Sequence, residues 1–142
     1  MRIGNTFGPV DIAVSGMRAQ STQMEVISSN IANARTVDNG QGQAYRRLQV
    51  LFGTDNEDDD GIAGVTISNI AQDMSSLERI FDPGNPKADA TGYVNMPNVQ
   101  LPVEKMNMST ATRAYQANAA VLKRYQKMVD TTLELLRSRK DT

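Results

Sequence analysis

Cysteine, histidine and tryptophan are all missing from this chain of 142 residues. Without cysteine there is no disulfide and no thiol nucleophile. Without cysteine and histidine together there is no zinc site of the Cys/His kind and no imidazole for acid–base chemistry. Only three Phe and four Tyr are present, so few large side chains could anchor a self-contained core, because aromatics carry much of the area a core buries. Nothing approaches the ~18 consecutive apolar residues of a membrane span, and residues 1–8 lack the apolar run of a secretory signal. No Gly-rich phosphate loop, nucleophile–base pair or carboxylate dyad occurs. The expectation is therefore no enzyme, with no catalytic, cofactor-binding or metal-binding residues, and composition alone points to a soluble cytoplasmic chain.

What the chain does hold is unevenly spread. The net charge of −1 hides five basic against three acidic residues over 1–52, two against nine over 53–101, and eight against four over 102–142. The basic ends interleave their charges with acids, the pattern of solvated helix faces more than of a nucleic-acid surface. Apolar content comes from Ala, Val, Ile, Leu and eight Met, side chains suited to long helices packed along seams.

Two such helices are expected. Pro9-Val10-Asp11 opens the first, since Pro is favoured in an opening turn and an acid complements the positive end of the helix dipole. Ala13, Met17, Met24, Ile27, Ile31 and Ala34 then follow alternating three- and four-residue steps, broken only by Gln20. Beside this seam runs a row of mostly small residues: Ile12, Ser15, Ala19, Thr22, Val26, Ser29 and Asn33. Gly16 costs about 1 kcal/mol relative to Ala in a helix interior, and close approach of a neighbour would account for it. The helix should stop near Arg35-Thr36, before the turn-rich stretch 38–42. The last helix should run from near Pro102 to about Arg137, with Met108, Ala111, Tyr115, Leu122, Tyr125, Val129 and Leu136 on one seam. Ala114, Val121, Met128 and Leu135 repeat beside it, Leu133 widens the stripe, and Arg137, Arg139 and Lys140 suit the negative end of the dipole.

Between the helices, Leu48, Val50 and Phe52 alternate with Arg47, Gln49 and Leu51, and residues 65–68 alternate again. Together they predict a β-hairpin with a long acidic tip. Residues 77–81 suit a further short strand, 82–86 and 90–92 are turns, and 93–99 are extended. The fold class expected is mainly α with a small β region, its long N- and C-terminal helices pairing as a coiled coil around a β-hairpin and extended segments. The domain reading is 1–36 for the N-terminal helix, 37–101 for a β-rich middle with an acidic loop at 53–64, and 102–142 for the C-terminal helix, with 1–36 and 102–142 forming one inner coiled-coil domain.

Two long helices can bury one seam each against one another, but their flanking rows then stay wet, which points to neighbouring subunits. The candidate subunit contacts are Ile12, Ala13, Met17, Met24, Ile27, Asn30, Ile31, Asn33, Thr36, Tyr115, Asn118, Leu122, Tyr125, Val129, Leu133 and Leu136. Asn30, Asn33 and Thr36 lie at a helix end, where they either close the helix or hydrogen-bond a neighbour's backbone. Asn56, Asp58, Asp60 and Gly61 have the opening spacing of an EF-hand loop, but the closing position is Ile67 where a bidentate Glu is needed, so calcium is rejected.

Residues 15–20, Ser-Gly-Met-Arg-Ala-Gln, and 24–36, Met-Glu-Val-Ile-Ser-Ser-Asn-Ile-Ala-Asn-Ala-Arg-Thr, resemble the N-terminal signature of bacterial flagellar rod and hook axial proteins. Residues 81–94 with Pro97-Asn98-Val99 are similar to the proximal rod subunits of that family, and residues 106–122, containing Arg113-Ala114-Tyr115-Gln116-Ala117-Asn118, resemble its C-terminal signature. The resemblance implies a structural subunit of the basal-body rod that leaves the cytoplasm unfolded through the flagellar type III export apparatus without a cleaved signal. It further implies polymerisation in the periplasm through the terminal helices, as part of the shaft carrying torque from motor to hook. The partners it implies are further copies, rod subunits of the FlgB, FlgF and FlgG type, and the rod-base adaptor FliE, with no nucleic acid and no cofactor. The rival reading is a helical adaptor or secretion chaperone of an export system, which would have no need of the ordered turns in 82–99.

Overall fold

A computed structural model describes residues 8–54 and 63–138. Helix α1 spans Pro9–Ala32 and helix α2 spans Leu101–Ser138. Between them lie strands β1 (Leu48–Thr54), β2 (Val65–Gln72), β3 (Glu78–Phe81) and β4 (Tyr93–Met96). The mainly helical fold with a small β part agrees with the sequence. The calcium-like spacing at 56–61, and Arg139 and Lys140 beyond α2, lie outside the described residues.

α1 starts where the sequence places it. Gly8 is extended, at φ −74° and ψ 163°, and its N–H donates to the Asp11 carboxylate at 3.1 Å. That bond satisfies a backbone donor while the acid sits at the positive end of the helix dipole. The helix ends three residues before the expected Arg35. Asn33 takes over both roles of a cap: its N–H and its side-chain amide both donate to the Ser29 carbonyl, at 3.0 and 2.9 Å. Thr36 then donates to Asn33 through its N–H at 3.0 Å and its hydroxyl at 3.2 Å. Asn33 stays at φ −100°, so the end is closed by side-chain bonds and not by a left-handed residue.

α1 and α2 pack antiparallel. Asn30 meets Glu104, Met24 meets Thr112, and Gly16 meets Asn118. The residue numbers of the first and last pairs both total 134, which sets Pro9 at the start of α1 opposite Tyr125. At 1.5 Å per residue α1 is about 36 Å long and α2 about 57 Å, so α2 outruns the described part of its partner. Ala13, Gly16, Ala19, Val26, Ile27 and Asn30 are the buried positions of α1. The packed face therefore runs between the two rows read from the sequence, because small residues from the second row bring α2 closer than the larger first row alone would.

β1 and β2 form an antiparallel hairpin with a bulge between Leu51 and Phe52, where the pairing steps from Leu51 with Asn69 to Phe52 with Ile67. The extra residue sharpens the local twist. The hairpin lies along α1: Leu48 bonds to Asn30, and near the tip the Val65 N–H donates to the Ser15 hydroxyl at 3.0 Å. Leu48 and Val50 are half-buried, as their alternation implies, but Phe52 is exposed. It stands past the bulge, on the outer strand of the hairpin's tip.

β3 and β4 form a second antiparallel pair, from Glu78 with Met96 to Phe81 with Tyr93. Asp89 organises the connection by accepting from the Thr91 hydroxyl and N–H and the Tyr93 N–H, and Arg79 bonds its other oxygen. The Thr91 hydroxyl, with the Tyr93 N–H next in weight, holds the Asp89 pKa down at about 2. Gly92 sits at φ +81°, and a Cβ there would lie 2.9 Å from the Phe81 ring, so both backbone and space require glycine.

The closeness of the helices has a direct test. A Cβ on Gly16 would lie 2.7 Å from the Asn118 side-chain nitrogen. Gly16→Leu must push the helices apart and is expected to cost about 1–3 kcal/mol. Gly16→Ala should be near neutral, since a helix-propensity gain of about 1 kcal/mol offsets a shift of the flexible Asn118 side chain. Urea midpoints measure both, and a leucine variant as stable as the parent would show that the contact is loose.

Candidate assembly surface

The surface is set by what the fold hides first. Asn30 and Glu104 are fully buried. The Asn30 amide oxygen accepts from the Leu48 N–H at 2.8 Å and the Tyr45 hydroxyl at 3.0 Å. Its nitrogen donates to the Leu48 carbonyl at 2.9 Å and to Glu104 Oε2 at 3.2 Å. One side chain thus pairs with both backbone groups of Leu48, as a neighbouring strand would, while tying α1 to α2. Arg47 Nε donates to Glu104 Oε1 at 2.5 Å, and the Arg47 N–H donates to Asn98 Oδ1 at 2.8 Å. Asn98 in turn donates to the Asp73 carbonyl and the Ser75 hydroxyl. Hydrogen bonds from Ser75, and then the charge of Arg47, hold the Asp73 carboxyl below its usual range. Among the described residues no buried side-chain polar atom lacks a partner.

With this knot closed, the candidate contact residues fall into three groups. Ala13, Ile27 and Asn30 are buried within the single chain. Ile12, Met17, Met24, Ile31, Asn33, Thr36, Tyr115, Asn118 and Leu122 are half-buried. Asn118 lies against Gly16, and Thr112 donates to the Met24 sulfur at 3.5 Å. Asn33 and Thr36 bond each other, which is the helix-closing reading. Tyr125, Val129, Leu133 and Leu136 are exposed, the last two by 50% and 59%. They stand on or past the point where the described part of α1 ends.

The row beside them, Val121, Met128 and Leu135, is also exposed, so α2 past Tyr125 carries apolar side chains on more than one face and no described partner. The sequence reading identified that row but did not count it among the contacts. It also missed Glu104, Arg47 and Tyr45. Stepping back four residues from Met108 along the α2 seam lands on Glu104, and that continuation of the apolar period by an acid was the available signal. Further apolar surface lies on the hairpins, at Met74, Phe81 and Ile80. The Phe81 and Tyr93 rings meet edge to face at 5.2 Å, and Arg79 stands 5.0 Å over Tyr93.

Between α1 and β2 lies an open cleft of about 440 Å³, with Asp11, Val14, Arg18 and Thr22 on one wall and Val65 and Ile67 on the other. Among the described residues no cluster of three or more acids could hold a metal ion, and no helix is long and apolar enough to cross a membrane.

Known proteins share these elements. The family described as "Flagella basal body rod protein" matches residues 11–37, most of α1. The one described as "Flagellar basal body rod FlgEFG protein C-terminal" matches residues 90–135, from β4 through most of α2. The flagellar basal-body rod protein FlgC of Salmonella typhimurium is 42% identical over 125 residues, covering 88% of this chain and 93% of that protein. FlgC of Escherichia coli O157:H7 is 41% identical over the same length, with the same coverage. That of Agrobacterium fabrum is 38% identical over 128 residues, covering 89% and 92%. Such likeness runs through both helices and both hairpins and leaves the adaptor or chaperone reading without support. A long helix pair whose α2 runs past the described part of α1, joined by two small hairpins, is here the form taken by a structural rod subunit: the chain belongs to the FlgC family of flagellar basal-body rod proteins.

Proposed function

We propose that the chain builds the proximal part of the rod by polymerising through α1 and α2, and that it catalyses nothing. In this reading residues 1–36 and 102–142 form the inner coiled-coil layer, and residues 37–101 lie outside it and bridge neighbours. The subunit leaves the cytoplasm through the type III export apparatus without a cleaved signal and assembles in the periplasm. Its neighbours are further copies, rod subunits of the FlgB, FlgF and FlgG type, and FliE at the base. The shaft so formed carries torque from motor to hook. The observation that supports this most is the apolar α2 segment past Tyr125, which is exposed and has no partner among the described residues.

Burial separates assembly from folding in the test. Val129 and Leu133 are exposed, whereas Ile27 is buried against α2. Val129→Asp and Leu133→Asp should leave the stability of the isolated subunit within about 0.5 kcal/mol of the parent. Each should nevertheless abolish complete rods and motility in cells lacking the native protein, because a charge buried in a polymer contact costs several kcal/mol at every subunit added. Ile27→Asp should unfold the subunit itself, and Lys127→Gln should stay motile. Export is scored separately, since a retained subunit also gives non-motile cells. Exported Val129→Asp and Leu133→Asp subunits that build working rods would overturn the reading.

A further inference from the structure

The uncovered end of α2 and the cleft between α1 and β2 match one another in length, face and charge. The α2 segment past Tyr125 has 13 described residues, about 20 Å of helix at 1.5 Å per residue. The cleft follows α1 from Asp11 to Thr22, about 17 Å by the same measure. On α1, Asp11, Ser15, Arg18 and Thr22 share one face, at steps of four, three and four residues. On α2, Gln126, Asp130, Leu133 and Arg137 share one face at steps of four, three and four. All the charged members of both sets are exposed. Among the described residues none of the four makes an ion pair.

We infer that the end of α2 from a second copy of this chain seats in the cleft between α1 and β2, running antiparallel to α1. Copies related head to tail along one axis share a polarity, so a neighbour's α2 meets α1 in the same sense as the chain's own. The parallel register is thereby excluded. In the antiparallel register Asp11 faces Arg137, Ser15 faces Leu133, Arg18 faces Asp130 and Thr22 faces Gln126. Each of these pairs totals 148, against 134 within one chain. The neighbour is therefore displaced by 14 residues, about 21 Å along the helix. Leu133 enters between Val14 and Val65, and two unpaired charges on each side find opposite partners. The inference rests on assembly through α2 and adds which surface receives it. The contact is heterologous and carries a displacement along the axis, so it propagates instead of closing.

Absence of native cysteine makes the test clean. Thr22→Cys and Gln126→Cys are made in separate full-length chains, purified, mixed at rising concentration and oxidised. Within one chain these positions are 14 residues out of register, roughly 20 Å apart along the helix pair and far beyond the ~7 Å that a disulfide spans between Cα atoms. The expected result is a disulfide dimer in the mixture that neither variant gives alone. At low ionic strength, adding Asp130→Arg to the Gln126→Cys chain should lower its yield several-fold, and Arg18→Asp in the partner chain should restore it. Dimer formed equally by Gln126→Cys alone would mean that α2 ends pack on each other and would overturn the seat. A mixture giving no more dimer than the single variants would overturn it too. If the seat fails while Leu133→Asp still blocks rods, assembly through α2 stands and only the receiving surface is wrong.

Discussion

The fold depends on a buried polar contact more than on a large core. Among the described residues Asn30 and Glu104 are the largest fully buried side chains, and together they fix three elements against each other. Asn30 occupies the backbone edge of Leu48, so β1 starts where the helix dictates. Glu104 sits in the first turn of α2, where the helix dipole favours an acid, and reaches both Asn30 and Arg47. An unsatisfied buried polar group costs about 1–3 kcal/mol, so a slip of α2 by even one residue would leave several such groups stranded at once. A buried ion pair is weak evidence for added stability. Here its effect is to allow one register among the many that a stripe of Ala, Val, Ile and Met would tolerate.

That register decides which surface remains for other molecules. The chain's small residues, Ala13, Gly16, Ala19 and Ala111, are consumed in the close helix contact. Its larger apolar residues on α2 past Tyr125 are left outside. The division suits a subunit that must hold a shape alone and complete its packing only in a polymer. The hairpins follow the same economy: each is a pair of strands with exposed apolar side chains, and Asn98, Arg46 and Arg47 tie them together through polar bonds instead of a shared core.

Much of this was legible in the residues. The start of α1 at Pro9, the span of α2, the hairpin from Leu48, and the turns around Asp82 and Gly92 follow from helix-start and turn chemistry and from apolar periodicity, all local. The long seams were also read correctly as to type, and three separated motifs gave the family. What escaped was tertiary. Period alone could not say that Ala19 and Val26 would be buried in preference to Met17 and Met24, because that depends on how closely α2 approaches. Nor could it say that Asn30 would be fully buried within the single chain, since its partners lie 18 and 74 residues away. The shortened α1 reflects the Asn33 side-chain amide, which shares the Ser29 carbonyl with its own N–H, and Thr36, which turns back to bond Asn33.

The most direct test of the central contact is amide hydrogen exchange at Leu48 in the isolated full-length subunit. Its N–H points away from β2 and is bonded only by the Asn30 side chain, so the hairpin ladder cannot protect it. If the Asn30–Glu104 contact organises the fold, the Leu48 amide exchanges as slowly as the paired amides of β1, and protection along α2 falls off beyond Tyr125. A Leu48 amide that exchanges freely while its neighbours in the ladder are protected would contradict the account.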